Sequence, residues 1–598
     1  MFHSILLLPS WLFILSLLAS NVHGARLVDF QVAQPPPLPQ DATRCTVLIL
    51  KRTFAFSFGA PEVVQLTPPT DCGVPGSWAG ISLNFTVTSN GTQFDRLGIV
   101  TFQNVEIWRT STPEPVRGDG IIWTYLKDVT RFIPLFSKPG TFILQLDNLI
   151  EPGLDGEYAT TLEATYFASS QEHPPAPRSD LIVPLTTLRT IRGTMLPSPP
   201  GFRSVLYPLL LQQQNRRSHR LQLNVTLPRN AVAAYAELQA SGNGNEEFWY
   251  FNVPNQFLGD LPAGTTFGNG PFREVRVLVD GQVAGVAFPY AVIFTGGIVP
   301  TAWRPITSYG AIDLPTYHLD LTPFIPILTD GKPHNISLDV ASAEPDHRID
   351  QNWFVSGLLQ VRLDSSSRPT TGRITRYEAS NFATSSASGS VNGEDVHITV
   401  SASHSVHIEA EIIGGSGART EVVFTQALQY ENVQDYLQNT TVQNVFQTAS
   451  GQVLSRHNGE IALQDTFVYP LVINFAITSP DGSNFSVAVD HSYDRILRPA
   501  PFILGSTIAE RQLSGGSFHL APTGNTGSNG TSNNTFDYVD TTGHTYTRQV
   551  NASSNVITLD RQGGNLAPSP IPDQLSEVSP AQAVMKARLP GGRVIGGN

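Results

Sequence analysis

Four short stretches of this 598-residue chain bring carboxylates, arginines and aromatic rings together. They are Gln93–Leu97, Glu246–Tyr250, Gly268–Glu274 and Thr301–Pro305. The second stretch sets two acids beside three aromatic residues, which is typical of a carbohydrate-type surface because aromatic faces stack on sugar C–H groups. Each stretch also has a purely structural interpretation: an ion pair that caps a strand for Asp95, and ordinary surface loops for the others.

The familiar catalytic signatures are missing. The chain has no Gly-x-Ser-x-Gly elbow, no P-loop, no dinucleotide fingerprint and no His-Glu-x-x-His. His404 and His407 lie in a strand-like stretch, where a spacing of three points the side chains to opposite faces, so we interpret the histidines as surface or loop residues. Met195 and Met585 are the only methionines after Met1, which argues against a copper–thioether site. We expect no metal and no cofactor.

Charge and the N-terminus indicate the compartment. A net charge of -12 argues against nucleic acid as a partner. A short apolar segment over 1–19 is followed by Val22 and Gly24 at the -3 and -1 positions of a signal peptidase site. We therefore expect cleavage after Gly24 and no membrane anchor afterwards. The product is predicted to be secreted or extracellular, with the secretory pathway or vacuole as the alternative.

Cysteines and sequons agree with that compartment. Cys45 and Cys72 are the only cysteines, and an oxidising environment would join them in a disulfide. Nine Asn-x-Ser/Thr sequons predict glycosylation on exposed loops. Their asparagines are Asn84, Asn90, Asn224, Asn335, Asn439, Asn484, Asn529, Asn533 and Asn551.

The elements that must hold these residues are β-strands. Apolar and polar residues alternate in part over 45–50, 81–87, 97–102 and 141–146, as half-buried strands do, and Asp280-Gly281 between apolar runs predicts a hairpin. The stretches 169–177 and 364–372 are interpreted as linkers, the first because it is rich in proline. We predict an all-β chain of two β-sandwiches and a third β-rich C-terminal domain. The predicted boundaries are a signal peptide at 1–24, domains at 25–172, 173–365 and 366–565, and a disordered tail at 566–598.

Longer runs of sequence resemble the plant and fungal glycoamidase A family, the acid-active peptide-N-glycosidases. The resemblance covers roughly residues 28 to 365 and is looser beyond them, and Cys45 and Cys72 fall where the family has a cysteine pair. The matching runs, in chain order, are 94–98, 105–110, 121–123, 127–131, 247–255, 268–275, 292–298 and 303–307.

The resemblance implies cleavage of the amide between an Asn side chain and the first N-acetylglucosamine of an N-glycan, with N-glycosylated peptides or glycoproteins as substrates. Bacterial enzymes of this activity imply two adjacent jelly rolls with the site in the groove between them. Their aromatic-Asp-Arg motif corresponds to Phe94-Asp95-Arg96, which makes Asp95 the expected general base. Their second carboxylate would fall near Asn269, which is not acidic, so we select Glu247, with Glu274 as the alternative.

The remaining site residues are predicted from what amide hydrolysis needs: help for the carbonyl oxygen, a proton for the departing nitrogen and a surface for the sugar. Arg96 or Arg304 is expected to stabilise the oxyanion. Glu247 would act as the acid or bind N-acetylglucosamine, while Trp249 and Trp303 stack on sugar. The other predicted substrate-binding residues are Asn148, Asn269, Arg273 and Glu274. The rival interpretations are a non-catalytic glycan-binding protein, a copper monooxygenase on the same double jelly roll, and a structural cell-wall protein.

Overall fold

The computed structural model describes residues 27–115, 118–185, 187–189, 207–209, 211–212, 221–521, 524–525 and 528–568. The predicted signal peptide and all but the first residues of the predicted tail lie outside this part of the chain. Within the described ranges, no helix has the length and apolar character needed to cross a membrane.

The first β-sandwich is formed by residues 28–167. A five-stranded sheet of order β1-β7-β4-β9-β2 packs on a four-stranded sheet of order β3-β8-β5-β6, and all neighbours are antiparallel except β1 and β7. The strands are β1 Val28–Asp29, β2 Arg44–Phe54, β3 Glu62–Leu66, β4 Gly80–Asn90, β5 Leu97–Phe102, β6 Val105–Ser111, β7 Ile121–Asp128, β8 Gly140–Leu146 and β9 Glu157–Phe167. One helical turn, α1 (Ile133–Phe136), follows a 3-10 turn at Thr130–Phe132.

Large aromatic rings fill the core of this sandwich. Trp78, Trp108 and Trp123 are each at most 1% exposed, and the alternating burial along β4 and β9 directs every second side chain towards them. The predicted disulfide is present: it joins Cys45 at the start of β2 to Cys72, with their Cα atoms 5.9 Å apart.

The second sandwich contains a sheet of order β10-β20-β15-β18, with β13 also pairing with β20, and a sheet of order β14-β19-β16-β17. A separate ribbon is formed by β11 and β12. The elements are β10 Leu181–Pro184, β11 Thr187–Arg189, β12 Tyr207–Leu209, β13 Leu211–Gln212, β14 Leu221–Val225, β15 Ala231–Asn243, β16 Glu274–Val279, β17 Gln282–Ala287, β18 Thr316–Asp320, α2 Ile325–Leu328, β19 His334–Ala341 and β20 Asn352–Leu363. Short 3-10 turns lie at Gly244–Glu246, Trp249–Phe251, Asn255–Asp260, Pro300–Trp303 and Thr322–Phe324.

The rest of the described chain forms one twelve-stranded sheet, which we call the C-terminal sheet. Ten of its strands follow the order β21-β23-β24-β25-β26-β27-β28-β30-β31-β32, while β22 pairs with β23 and β29 with β28. They are β21 Thr371–Ala379, β22 Thr384–Asn392, β23 Asp395–Ile413, β24 Arg419–Leu437, β25 Val442–His457, β26 Glu460–Ile477, β27 Asn484–Leu497, β28 Ser506–Ala521, β29 Gly524–Asn525, β30 Asn529–Asp540, β31 Thr545–Ser553 and β32 Val556–Gly563.

One hydrophobic core runs from the second sandwich into the C-terminal sheet. Alternate residues of β23 and β24 are buried, so one face of the sheet covers the sandwich. At this interface Phe272 packs edge-on against Tyr430, and Tyr290 stacks on His491 at 4.5 Å between ring centroids. The C-terminal sheet is therefore packed on the second sandwich rather than tethered to it.

Buried ion pairs fix the two sandwiches against each other. Arg131 of the first sandwich donates to both carboxylate oxygens of Glu237 on β15, at 2.9 and 2.7 Å. Arg109 on β6 donates to the Ser241 hydroxyl and to the Phe354 carbonyl, and the Trp108 indole donates to the Ile312 carbonyl. Because these contacts use buried side chains, loops of the two sandwiches meet in a defined arrangement.

The all-β prediction, with two sandwiches and a third β-rich part, is confirmed. Asp280-Gly281 forms the two-residue turn between β16 and β17, with φ of 49° and 84°, as predicted. His404 and His407 do lie on opposite faces of β23, but His404 is not at the surface: it is 2% exposed and contacts Glu274 at 2.8 Å.

The sequence predicts the sequons on exposed loops, but most of them do not lie on loops. Asn90 ends β4 and Asn439 lies in the turn after β24, whereas the other seven asparagines lie within strands. None of the nine is buried: four are exposed and five are partly exposed.

Candidate active site

Asp95 lies in the loop that connects β4 to β5, at one end of the first sandwich. Several hydrogen bonds hold this loop. The Tyr158 hydroxyl donates to the Phe94 carbonyl at 2.9 Å, Gly156 N–H donates to the Thr92 carbonyl at 2.9 Å, and Arg96 N–H donates to the Thr112 hydroxyl at 2.9 Å. The Asp95 carboxylate is thus presented by a fixed backbone at a strand end, where sites are commonly built.

Glu114 reaches the same place from the loop after β6. Thr112 N–H donates to the Arg96 carbonyl at 3.0 Å, so the two loops run together. The Thr112 carbonyl in turn accepts from the Thr295 hydroxyl of the second sandwich at 2.5 Å. Glu114 is 8% exposed and lies between Pro113 and Pro115, which restrict the backbone on both sides.

Gly296 of the second sandwich forms the wall that faces these two acids. A Cβ atom placed on Gly296 would lie 2.5 Å from Asp95 Oδ1 and would overlap Glu114 Oε1. The two carboxyl oxygens are therefore close neighbours, and only a residue without a side chain allows the backbone to approach them so closely. Asp95 is not sealed inside one sheet, because the neighbouring sandwich closes the site.

Glu247 comes from the second sandwich, directly after the 3-10 turn Gly244–Glu246 that ends β15. Its neighbour Glu246 is fully buried and accepts hydrogen bonds from Nε and Nη2 of Arg273, at 2.7 and 2.8 Å. This ion pair anchors the turn. Among the described residues no side chain or backbone group hydrogen-bonds to the Glu247 carboxylate, so it is free to contact a ligand.

The three acids share a raised affinity for protons. Burial raises the pKa of Asp95 to about 6, against a smaller opposing effect of a backbone hydrogen bond and of Arg96. Burial raises the pKa of Glu114 to about 7, opposed by Arg304 and assisted by Asp95. Burial, with repulsion from Asp95 and Glu114, raises the pKa of Glu247 to about 7. Asp95 is therefore the first of the three to ionise as the pH rises.

Arg304 is the cation of this cluster. Its Nη2 donates to Glu114 Oε2 at 3.1 Å, while its Nε is buried and has no hydrogen-bond partner among the described residues. Burial lowers the pKa of Arg304, and the Glu114 carboxylate opposes that shift. A buried N–H without a partner is costly, by about 1–3 kcal/mol, which favours a ligand atom as its acceptor.

The loop that carries Gly296 and Arg304 is strained and braced. Ile298 has φ of 62°, a conformation that costs a β-branched residue on the order of 1–3 kcal/mol. The Trp303 indole N–H donates to the Gly297 carbonyl at 2.8 Å and ties the two ends of the loop together. Backbone strain of this kind clusters at functional sites, where the surrounding structure imposes it.

Comparison with known proteins identifies the family. Residues 34–380 match the family model described as peptide N-acetyl-beta-D-glucosaminyl asparaginase amidase A, and residues 397–471 match its C-terminal domain. The chain belongs to this family. The resemblance predicted from the sequence is confirmed.

A relative and two solved structures align with this member of the amidase A family. Peptide-N4-(N-acetyl-beta-glucosaminyl)asparagine amidase A of Prunus dulcis is 35% identical over 365 residues, which are 59% of this chain; the chain spans only 60% of that relative's length. The structure of PNGase F, a glycosylasparaginase from Flavobacterium meningosepticum, aligns at 15% identity and a TM-score of 0.34, over 54% of this chain and 97% of that one. A 2.2 Å structure of a peptide-N(4)-(N-acetyl-β-D-glucosaminyl) asparagine amidase aligns at 15% identity and a TM-score of 0.33, again over 54% of this chain and 97% of that one.

Two of the predicted site residues of this family member lie beside Asp95 without facing it. Arg96 directs its guanidinium away, donating to Asn148 Oδ1 at 3.3 Å and to Gln93 Oε1 at 2.5 Å. Asn148 is fully buried and donates to the Phe54 and Gly156 carbonyls. The substrate-binding role of Asn148 stays a prediction that this geometry does not support, because its polar atoms are occupied in holding loops. Arg304 is better placed than Arg96 to stabilise negative charge.

The sugar-stacking role of Trp249 and Trp303 stays a prediction, and the burial of both side chains does not support it. Trp249 is 3% exposed and packs against Trp353, with ring centroids 6.0 Å apart. Trp303 is 1% exposed and braces its loop. Neither indole has a face open to a ligand, because both belong to the core of the second sandwich. The exposed aromatic ring next to Asp95 is Phe94, at 57%.

In the Gly268–Glu274 stretch the side chains predicted to bind substrate make structural contacts instead of facing open space, so their substrate-binding role stays a prediction without support from the geometry. Arg273 is fully occupied by Glu246 and by the carbonyls of Asn269, Gly270 and Phe272. Asn269 donates to Asp350 at 2.9 Å. Glu274 is 1% exposed and contacts His404 of the C-terminal sheet, so it does not replace Glu247 as the second carboxylate.

Glu114 is the residue that sequence reasoning missed. It belongs to no motif and carries no neighbouring aromatic. The available signal was its position: an acid between two prolines, three residues after β6 ends at Ser111. The ends of strands at one edge of a sandwich lie close together, so an acid at such an end is a candidate site residue.

Proposed function

We propose that this chain is an amidohydrolase that cleaves the amide between an Asn side chain and the first N-acetylglucosamine of an N-glycan. The observation that carries the proposal is the meeting of three acids of raised pKa with the buried, partly unpartnered Arg304 where the two sandwiches join. The name of the Prunus dulcis relative gives the same bond as its target. The products would be a peptide with Asp in place of Asn and a glycosylamine.

Asp95 is the general base. It has the lowest pKa of the three acids, so it is the one that is ionised while another stays protonated. A water molecule held by its carboxylate attacks the carboxamide carbon and gives up a proton to Asp95. Its raised pKa makes Asp95 a stronger base than an ordinary aspartate near neutral pH.

Arg304 stabilises the oxyanion that this attack creates. Its Nε is the buried donor without a partner, and its Nη2 is held by Glu114. A carbonyl oxygen that gains negative charge next to Nε receives a charge-assisted hydrogen bond. Removing one such donor commonly costs about 10²–10³-fold in kcat. Glu114 therefore orients the arginine.

Glu247 supplies the proton for the departing nitrogen. In the part of the chain that the structure describes it has no ion-pair partner, and burial together with repulsion keeps it protonated up to about pH 7. When the C–N bond of the tetrahedral intermediate breaks, the proton moves from Glu247 to the amine, so a neutral glycosylamine leaves. Two acids whose environments differ can in this way act as base and acid in one site.

The exposed Phe94 ring lies next to the base and is the aromatic surface that a sugar meets. Secretion is part of the proposal as well. The Cys45–Cys72 disulfide and nine sequons whose asparagines are exposed or partly exposed suit an extracellular or vacuolar protein.

The test is incubation with an N-glycopeptide followed by mass spectrometry. The wild-type protein should convert the glycosylated Asn to Asp, while Asp95→Asn should abolish conversion and leave the melting temperature unchanged. Running the assay with and without α1,3-linked core fucose defines the accepted glycan. If the wild-type chain binds the glycopeptide without converting Asn to Asp, the protein is a glycan-binding protein and the proposal fails.

A further inference from the structure

Two neighbouring strands of the C-terminal sheet each contain a glycine inside the strand, where no turn requires one. Gly516 on β28 and Gly530 on β30 are direct cross-strand partners, and neither has a positive φ. Glycine weakens a strand interior, and it commonly marks a place where another backbone approaches closely. We call Gly516 and Gly530 the glycine seat.

The segment that approaches the glycine seat is the 3-10 turn Pro300–Trp303, just before Arg304. A Cβ atom on Gly530 would overlap the backbone oxygen and carbon of Thr301, and one on Gly516 would lie 3.1 Å from Thr301 Oγ1. The Thr301 hydroxyl donates to the Asn529 carbonyl at 3.0 Å. Because backbone meets backbone here, no flexible side chain is available to give way.

The same sheet also holds the segment on the other side of Arg304. Gln512 on β28 donates through Nε2 to the Thr307 carbonyl at 3.2 Å and accepts from Tyr309 N–H at 2.9 Å. Arg304 therefore lies between two anchors on the C-terminal sheet, and from there it reaches Glu114 in the first sandwich.

A second set of contacts reaches the segment after Glu247. From β24, Asn432 and Gln434 donate to the Tyr250 carbonyl at 3.1 and 3.3 Å. Gln434 also donates to the Asn252 carbonyl at 2.9 Å, and the Tyr436 hydroxyl donates to the Phe251 carbonyl at 2.9 Å. Both functional segments of the second sandwich thus rest on the C-terminal sheet.

We propose that the C-terminal sheet is a positioning element of the active site, and that Gly530 is a positioning residue that sets where Arg304 stands relative to Glu114. The proposal rests on the proposed function for what Arg304 does, but the contact itself is independent of it. A side chain at Gly530 pushes the Pro300–Trp303 turn off the sheet and moves the guanidinium with it.

The experiment compares Gly530→Ala with Gly515→Ala in the full-length protein. Gly515 lies next to the glycine seat, and the three atoms nearest to a Cβ there all belong to β27, the first being the Val487 oxygen at 2.6 Å, so it perturbs the same sheet from the side of β27. Gly530→Ala should lower kcat on a glycopeptide by roughly 10²-fold, the usual effect of about 1 Å of misplacement, with a smaller change in KM. Gly515→Ala should retain near-normal kcat.

A double-mutant cycle separates positioning from general damage. Gly530→Ala acts through Arg304, so Gly530→Ala combined with Arg304→Gln should be no slower than Arg304→Gln alone. If the two losses multiply, or if Gly530→Ala turns over like the wild type, the proposal is wrong. Where Gly530→Ala does not fold, Thr301→Val removes the hydroxyl donor to Asn529 and takes its place in the cycle.

Hydrogen exchange gives a readout that does not depend on activity. Ala302 N–H is bonded to the Val299 carbonyl at 3.1 Å, and peptides covering 297–305 should exchange faster in Gly530→Ala but not in Gly515→Ala. Unchanged exchange there would overturn the proposal. A wild-type protein that leaves glycopeptides uncut would instead overturn the proposed function, and the exchange result would still decide the role of Gly530.

Discussion

A single added methyl group at Gly296 tests the geometry of the site. In Gly296→Ala the new Cβ would lie 2.5 Å from Asp95 Oδ1 and would overlap the Glu114 carboxylate. Since ordinary contact begins at about 3.4 Å, the Asp95 oxygen has to retreat by roughly 0.9 Å, and Glu114 by more. The atoms in the way belong to the two carboxylate groups, so both side chains have to rotate out of the positions described.

The expected cost follows from that displacement. About 1 Å of misplacement costs roughly 10²-fold in rate, which corresponds to about 2.7 kcal/mol of transition-state stabilisation. We expect kcat/KM on a glycopeptide to fall by this factor, mainly through kcat. The backbone φ of Gly296 is not positive, so alanine adopts it without strain and the melting temperature should change little.

The assay is steady-state release of glycan from a glycopeptide, with thermal unfolding measured in parallel. Gly259→Ala is the matched control. A Cβ there has no neighbour within 4 Å among the described residues, and the φ of Gly259 is not positive. Gly259→Ala should behave as wild type in both measurements. If Gly296→Ala also retains activity within about twofold, the two acids do not act at the positions described, and the assignment of Asp95 as base loses its support.

Three further predictions concern protons and stability. The pH profile of kcat/KM should be bell-shaped, falling below about pH 6 as Asp95 is protonated and above about pH 7 as Glu247 loses its proton; a rate that is constant up to pH 9 would contradict the roles. The raised pKa of Glu247 favours the folded state below its unfolded value of 4.5, and that advantage is lost as the pH rises towards 7. Glu247→Gln should therefore be more stable than the wild type at pH 8, by up to about 3 kcal/mol in denaturant unfolding, and this difference should be smaller at pH 5. An equal effect of the substitution at both pH values would count against the burial of this acid. Glu237→Gln should destabilise the fold by about 3–5 kcal/mol at pH 7, because Arg131 loses its buried partner, and its control Glu163→Gln on the surface of β9 should not; wild-type stability in Glu237→Gln would show that this pair does not hold the sandwiches together.

Local sequence signals located part of the site. Asp95 was predicted from an acid at a strand start, within a short motif, and Glu247 from an acid beside aromatic residues. Both acids lie where the two sandwiches meet. They could be selected because alternation and turn residues mark the ends of β-strands in the sequence. Glu114 was missed, since an isolated glutamate between prolines carries no signal of what lies opposite.

Aromatic residues were the least reliable guide. Trp249 and Trp303 stand next to acids and arginines in the sequence, yet both indoles are buried, while the exposed ring is that of Phe94. The composition of a stretch does not report which side of the backbone faces the core. That depends on packing against residues more than 100 positions away, such as Trp353 for Trp249.

Taken alone, the sequence determined the all-β class, the disulfide, the family and the two acids at strand ends, because these depend on short-range alternation, on the presence of only two cysteines and on contiguous motifs. Only the tertiary structure decided which acids meet, which arginine faces them, and that the C-terminal sheet supports the loop of Arg304. These are contacts between segments that lie far apart in the chain. Their geometry is set by the packing of whole sheets, and no local pattern of residues encodes it.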